Sequence, residues 1–257
     1  MAESGSVSWP AGNPVWQLTY HLGDSAQPEG LVLRQVRFRG KLVLWKASLP
    51  SLRVQYEGDK CGPYKDPLHA QNAVPWPNGK LVKVYDYVVG GQRCLALETY
   101  HTIGSYRLRQ RYILTPEGQI QPAMFSAGLQ CPYDHRHHVY WRFDFDIDGP
   151  GSDSIFEHVA GRGDIGYGPG WTKYWSEASA IKQANPTRWA VMDRRTQSGY
   201  FIVPGSGDGV ADSFSRRDAW FMRYRWSEDK QGNQGSPWGD ELDAYLNGEN
   251  VDSTDVV

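Results

Sequence analysis

The stretch from Cys131 to Gly149, CPYDHRHHVYWRFDFDIDG, joins a group of histidines to the most regular alternation of apolar and polar residues in the chain. The apolar positions are Val139, Trp141, Phe143, Phe145 and Ile147. This period of two predicts a β-strand with one face on a core. The same register, carried backwards, places His135 and His137 on the inward face. Because imidazole binds copper and zinc well, this pair predicts half of a metal site; the alternative is a polar strand entrance with solvated histidines.

The rest of the chain favours strands joined by turns. Gly30 to Phe38 and Tyr106 to Leu114 have strand composition, and Gly90-Gly91 is a hairpin signal. Only the segment from Glu177 to Gln183 suggests a short helix. The pattern predicts an all-β fold, a large antiparallel β-sandwich. We expect residues 1–14 to form a loose N-terminal arm and residues 15–257 to form a single domain.

Composition restricts the classes of partner and location. The net charge of −2 gives no indication of a nucleic-acid or anionic-membrane partner. The sequence contains no apolar run long enough for a transmembrane helix and no secretory leader pattern. The three cysteines, an odd number, predict free thiols in a reducing compartment, and therefore a cytoplasmic protein. Aromatic side chains make up 13% of the residues, which is typical of strands and binding clefts.

Four stretches, taken together, resemble a known family. Glu29 to Tyr56 is similar to the opening hairpin of its catalytic domain, and Gly104 to Gly118 has the length and frame of a family stretch that begins G-N-Y-D/E-Y and ends in D-G. His135 to Gly149 resembles the family's H-x-H strand that ends in D-x-D-G. Leu242 to Val257 resembles its N-G-E/D-S and D-V-V segment. The family is that of the copper amine oxidases, the topaquinone enzymes, and the four stretches cover most of the chain in the family's order.

This resemblance implies a β-sandwich domain, a homodimer, and two of three copper ligands at His135 and His137. Tyr106 matches the tyrosine that copper and dioxygen convert to topaquinone in the family. The finished quinone oxidises a primary amine to an aldehyde with the help of a carboxylate base, and dioxygen is the final oxidant. Asp66 is the best positional match for that base, with Tyr64 and His69 as neighbouring alternatives. A solvated loop aspartate is the other interpretation of Asp66.

The sequence also departs from the family pattern. Ser105 and Arg107 replace the asparagine and the acidic residue that flank the family's tyrosine, and residues 61–69 lack its F-D-x-G-E motif. The family's third copper histidine lies just beyond the D-V-V strand, whereas this sequence ends at Val257. Either the sequence is truncated there or the site is closed in another way. His138 alternates to the other strand face, and His101 is a weaker third ligand; the remaining histidines are His21, His69 and His158.

The acidic positions of the same strand offer a second metal site. In some copper amine oxidases a D-x-D stretch at this place contributes to a peripheral calcium or manganese site, and hard cations prefer such oxygen ligands. Here the acidic residues are Asp144, Asp146 and Asp148. The alternative is a strand face that is simply solvated.

Three functions remain open from the sequence. The first is a copper–quinone oxidase acting on a primary amine. The second is a repurposed enzyme on the same fold, with a metal-bound or metal-free pocket for an amine or an aromatic small molecule and with Tyr106 unmodified. The third is a non-catalytic binding or scaffold protein.

Overall fold

The computed structural model of the protein describes residues 3–205, 217–225 and 239–257. About 56% of the chain is strand and 4% is helix, so the predicted all-β class is confirmed. The strands are β1 (Ser4–Trp9), β2 (Trp16–Asp24), β3 (Gln27–Phe38), β4 (Lys41–Tyr56), β5 (Tyr64–Lys65), β6 (Val82–Val89), β7 (Gln92–Ile103), β8 (Tyr106–Leu114), β9 (Ile120–Ala127), β10 (His135–Phe145), β11 (Asp153–Val159), β12 (Trp171–Lys173), β13 (Ala178–Ala180), β14 (Thr187–Asp193), β15 (Gly199–Ile202), β16 (Ala219–Phe221) and β17 (Asp252–Thr254). Short 3-10 helices occupy Glu57–Asp59, Ala70–Asn72 and Gly239–Tyr245. No helix in these described ranges has the length and apolar character needed to span a membrane.

The described chain forms two compact units. The first comprises residues 3–41 and 45–143, and the second comprises residues 42–44, 144–205, 217–225 and 239–257. The single domain expected from the sequence stays a prediction.

The first unit is built from two sheets. One has the strand order β1-β2-β3-β4-β10, with β5 paired to β4. The other is the antiparallel meander β6-β7-β8-β9. Their inward faces share a core in which Leu52, Val54 and Tyr56 of β4 pack with Tyr106 and Leu108 of β8. The alternation of apolar residues along both strands explains why these side chains meet.

A glutamine bridges the two sheets next to this core. Gln110 is fully buried on β8; its side-chain oxygen accepts a hydrogen bond from the Leu31 amide (2.8 Å) and its amide donates to the Leu31 carbonyl (3.0 Å). Gly30 has a φ of +64°, and a Cβ there would lie 2.2 Å from the Gln110 oxygen. Glycine at position 30 is therefore required by both the backbone conformation and the close approach of Gln110.

The second unit is organised around a sheet with the order β12-β11-β14-β15, in which β17 also pairs with β11. Ile155 of β11 and the pair Trp189 and Val191 of β14 are buried on the inner face, as the period of two requires. The two strands β13 and β16 form a separate pair. The predicted helix at Glu177 to Gln183 is wrong, because Ala178–Ala180 pairs with Ala219–Phe221 and this distant partner decides the local backbone.

The expectation of a loose N-terminal arm also needs correction. Ser4–Trp9 is strand β1 and pairs with β2 along its length, from Ser4 opposite His21 to Trp9 opposite Trp16. Trp9 is only 8% exposed, and its ring nitrogen donates to the Asp86 carboxylate at 2.8 Å. The small polar residues of this segment suggested a mobile arm, but the backbone pairing and the buried indole hold it on the sheet.

The predicted free thiols are corrected at two of the three cysteines. Cys61 and Cys131 form a disulfide with a Cα–Cα distance of 6.6 Å, and only Cys94 is free and buried. Cysteine counting failed because the two partners are 70 residues apart in sequence and are brought together by the tertiary structure. The cysteines therefore no longer support a reducing, cytoplasmic location.

Candidate functional site

Tyr106 is the first residue of β8 and follows a tight turn at Gly104-Ser105, which pairs it with Ile103 of β7. Its side chain points into the core and is 3% exposed. Its hydroxyl forms a hydrogen bond with the hydroxyl of Tyr56, the last residue of β4. The two buried phenols are thus held against each other by the ends of two strands from different sheets.

His135 and His137 lie at the start of β10 and project toward Tyr106. The ring centroid of Tyr106 lies 5.5 Å from that of His135 and 4.9 Å from that of His137, and the two imidazoles are 5.0 Å apart. Tyr56 stacks on His135 at 4.9 Å. The i, i+2 spacing on one strand face accounts for this arrangement, because alternate residues share a face. Two tyrosines and two histidines therefore form one aromatic cluster.

The imidazole of His137 has a nitrogen free to bind a further group. Its Nε2 lies 3.3 Å from the Ser126 hydroxyl, whereas its buried Nδ1 has no hydrogen-bond partner among the described residues. Burial, and then the neighbouring imidazoles of His135 and His138, lower the pKa of His137 to about 4. The ring is therefore neutral at physiological pH, which is the state that binds metals.

Asp66 directly follows the short strand β5 and is 5% exposed. Its backbone amide donates to the Leu52 carbonyl at 2.8 Å, which anchors the loop on β4, and its Oδ2 has no hydrogen-bond partner within the described residues. Burial raises the pKa of its carboxyl to about 6. Burial and the contacts with Tyr106 raise the pKa of Tyr56, and the charge of Asp66 raises it further by a smaller amount. Asp66 therefore interacts electrostatically with the tyrosine pair.

Tyr56 is the member of this cluster that the sequence analysis missed. The inward register of Leu52, Val54 and Tyr56 was readable from the sequence, but it ended at a loop and carried no motif. Only the packing of β4 against β8 shows that the Tyr56 hydroxyl meets the Tyr106 hydroxyl.

The weaker sequence candidates lie elsewhere or are already bonded. Tyr64 is 43% exposed at the edge of Tyr56, and the Nε2 of His69 lies 3.3 Å from the Asn72 amide. His21 is on β2, and His158 on β11 packs against Trp171.

His101, the weaker third-ligand candidate, lies on the same face of the meander as Tyr106. It pairs with Leu108, so it shares a face with Tyr106, because the hairpin pairs odd-numbered residues with even-numbered ones. Its Nδ1 is hydrogen-bonded to Asn72 (2.8 Å) and its Nε2 to Thr99 (3.0 Å). Both nitrogens are occupied, which makes His101 a structural histidine.

The side chains around Tyr106 are of types that bind copper. Two imidazoles and a phenol oxygen are ligands that copper accepts. Among the described residues, no third histidine, cysteine or carboxylate joins His135 and His137 in a group of three. Arg107, which the sequence places next to Tyr106, donates to the Tyr106 carbonyl at 3.2 Å, and the alternation of the strand directs it away from the phenol ring.

A second group of ligands lies in the second unit. Asp144, Asp146 and Asp255 offer one oxygen each, and these oxygens lie within 4.8 Å of one another. The Phe145 amide donates to the Val256 carbonyl at 3.0 Å, which holds the two contributing segments together. Burial, and then the negative charge of Asp255, raise the pKa of Asp146 to about 6. Three carboxylates at this spacing could hold a hard divalent cation.

This geometry corrects the solvated-face interpretation of the acidic strand. Asp144 and Asp146 are 1% and 6% exposed, because both faces of the chain are covered at the end of β10. Asp148 lies beyond the strand in a turn, with a φ of +59°, and is not a member of the cluster. Asp255, more than 100 residues away in sequence, takes its place.

Comparisons with known proteins identify the fold. No profile of a known protein family and no curated protein matches the chain. Among solved structures, a copper-containing benzylamine oxidase from Hansenula polymorpha matches with a TM-score of 0.69 and 16% identity, covering 98% of this chain and 54% of the oxidase. An Aspergillus nidulans amine oxidase matches at 0.71 and 15%, covering 94% and 46%. A Pichia pastoris lysyl oxidase matches at 0.67 and 14%, covering 95% and 47%.

The chain thus spans about half the length of these enzymes and aligns over nearly all of its own. Sequence identity near 15% supports shared architecture and carries no residue roles by itself. The chain therefore has the β-sandwich fold of the copper amine oxidases.

Proposed function

We propose that this chain belongs to a copper-dependent oxidase of primary amines, with Tyr106 as the precursor of a quinone cofactor. The observation that carries the proposal is the burial of the Tyr106 phenol beneath the imidazoles of His135 and His137. Copper, when bound, would supply the activation of dioxygen that oxidises the phenol. The solved amine oxidases with the same fold support the choice of an amine as substrate.

The chain's own residues have distinct roles in this proposal. His135 and His137 hold the metal, with a further ligand from outside the described residues. Tyr56 orients the Tyr106 hydroxyl through their hydrogen bond. Asp66 is the proton acceptor, because a carboxyl with a pKa of about 6 is mostly ionised at neutral pH and still basic enough to accept a proton.

The test is a peptide mass for the segment that contains Tyr106. Metal-free protein is incubated with copper and air, and the proposal predicts a gain of oxygen on Tyr106 together with hydrogen peroxide release on addition of benzylamine. Tyr106→Phe should abolish both. Tyr112→Phe is the matched control, since Tyr112 is buried on the same face of β8, and it should leave both intact.

The alternative functions give different results in the same experiment. Copper binding with an unmodified Tyr106 would reject the quinone proposal and favour a repurposed enzyme, with the aromatic pocket acting on its substrate through an unmodified phenol. Failure of the chain to bind copper at His135 and His137 would reject the copper oxidase and favour a metal-free repurposed enzyme or a scaffold protein.

We also propose that Asp144, Asp146 and Asp255 bind a peripheral divalent cation, calcium or manganese. The specific observation in favour is that their oxygens converge although Asp144 and Asp146 are buried, where charge is costly. A bound cation would offset that cost.

A further inference from the structure

The Cys61–Cys131 disulfide joins the two segments that carry the candidate copper–tyrosine site. Cys61 lies on the loop between Tyr56 and Asp66, five residues from each, and Cys131 lies four residues before His135. Both cysteines pack against the core cluster that contains Tyr56 and Tyr106. The covalent link therefore sits next to the residues whose positions the proposed chemistry needs.

The other contacts between these two segments are noncovalent and include Lys60 over the ring of Tyr133 at 4.6 Å. The Glu57 amide donates to the Asp134 carbonyl at 2.8 Å. The rings of Tyr56 and His135 stack with their centroids 4.9 Å apart, and the Cys131 backbone amide is hydrogen-bonded to the Tyr56 hydroxyl. Strands β4 and β10 are neighbours in the sheet, and this pairing holds the strand ends at Tyr56 and His135. Beyond those ends, the loop of residues 57–63 and the segment of residues 128–134 have no strand pairing. The disulfide is therefore the covalent link between two stretches that the sheet does not hold.

Both cysteine residues of the disulfide are also in partial contact with solvent. Cys61 and Cys131 are partly exposed, whereas Cys94 is fully buried. Partly exposed disulfides are the ones that thiols attack readily. A dithiol reductant would attack one sulfur and then the mixed disulfide; it gives up two electrons and two protons, becomes a disulfide itself, and leaves Cys61 and Cys131 as thiols.

We propose that this disulfide is a redox control of the candidate site: its reduction releases the loop of residues 57–63 and the segment of residues 128–134, which adjoin Tyr56 and His135, and thereby lowers the metal affinity of His135 and His137. The inference rests on the proposed function for its biological meaning, but the mechanical coupling is independent of it. Reoxidation restores the link and the geometry of the site.

Hydrogen exchange tests the coupling in the full-length chain, comparing oxidised protein, protein reduced with a dithiol, and the variants Cys61→Ser/Cys131→Ser and Cys94→Ser. Reduction and the double variant should raise exchange by about tenfold or more in residues 57–63 and 128–134, with β7 and β8 unchanged. Cys94→Ser should match the oxidised wild type. Unchanged exchange in the two segments, or an equal rise throughout the chain, would overturn the proposal.

Copper affinity provides the second readout, measured by calorimetry on the oxidised wild type and on Cys61→Ser/Cys131→Ser. Loss of support around metal ligands typically weakens binding by about 10-fold to 100-fold, and a weakening of that size is expected here. Equal affinities would overturn the control of the metal site. Absence of copper binding in oxidised wild type would reject the proposed function itself, and the exchange data would still decide the coupling.

Discussion

Asp66 shows how a single residue's environment decides its chemistry. Burial raises the pKa of its carboxyl to about 6 from an ordinary value of 3.8. Between these two values the folded chain binds more protons than the unfolded chain, so the free energy of unfolding falls as the pH rises through this window. Above about pH 6 the loss is complete. The same pKa means that a reaction using Asp66 as a base should accelerate as the pH rises through about 6.

Asp66→Asn removes this titration. We expect the variant to be more stable than wild type at neutral pH by about 2 kcal/mol, with little difference near pH 4, because the amide never ionises. Urea unfolding across this pH range is the measurement. Asp134→Asn is the control, since Asp134 is exposed, and should follow the wild-type profile. A wild-type profile for Asp66→Asn would contradict the burial argument.

At the scale of elements, β10 carries two different groups of ligands on one strand. Its beginning presents His135 and His137 to Tyr106, and its end presents Asp144 to Asp146 and Asp255. The period of two places alternate residues on one face, but burial of both faces at the strand's end comes from the surrounding elements. This is why the sequence predicted an inward-facing histidine pair but left the acidic residues open between a metal site and a solvated face.

Calcium should stabilise the protein through the acidic group. A cation at about 100 times its dissociation constant adds about 2.7 kcal/mol to the free energy of unfolding, because it binds only the folded chain. Asp146→Asn should remove most of the gain, whereas Asp148→Asn should retain it, since Asp148 lies outside the group. Thermal unfolding with and without calcium measures the effect, with manganese as a parallel arm. An equal gain in both variants would place the cation elsewhere.

At the scale of the whole molecule, the chain aligns with about half of each of the larger enzymes whose structures it matches. The solved structures it matches are roughly twice as long, and the two compact units divide the chain near Phe143. Large apolar side chains such as Phe201 and Val203 are 57% and 69% exposed in the second unit. Exposed apolar side chains of this kind are frequent at protein–protein interfaces.

We propose that the protein forms the homodimer implied by the resemblance. Sedimentation velocity should give a mass of twice 29.1 kDa at micromolar concentration. Asp134→Asn, an exposed polar change in the first unit, serves as the control and should sediment as wild type. A species of 29.1 kDa at every concentration would contradict the dimer.

The sequence by itself determined the all-β class, most of the strands, and the inward pair His135 and His137, because alternation of apolar residues is a local property that can be read along the chain. Its resemblance to the copper amine oxidases also selected Tyr106. Only the tertiary structure decided the Cys61–Cys131 disulfide, the contact of Tyr56 with Tyr106, and the addition of Asp255 to the acidic group. These features join residues 50 or more positions apart, and their energies depend on packing and burial that no local pattern contains.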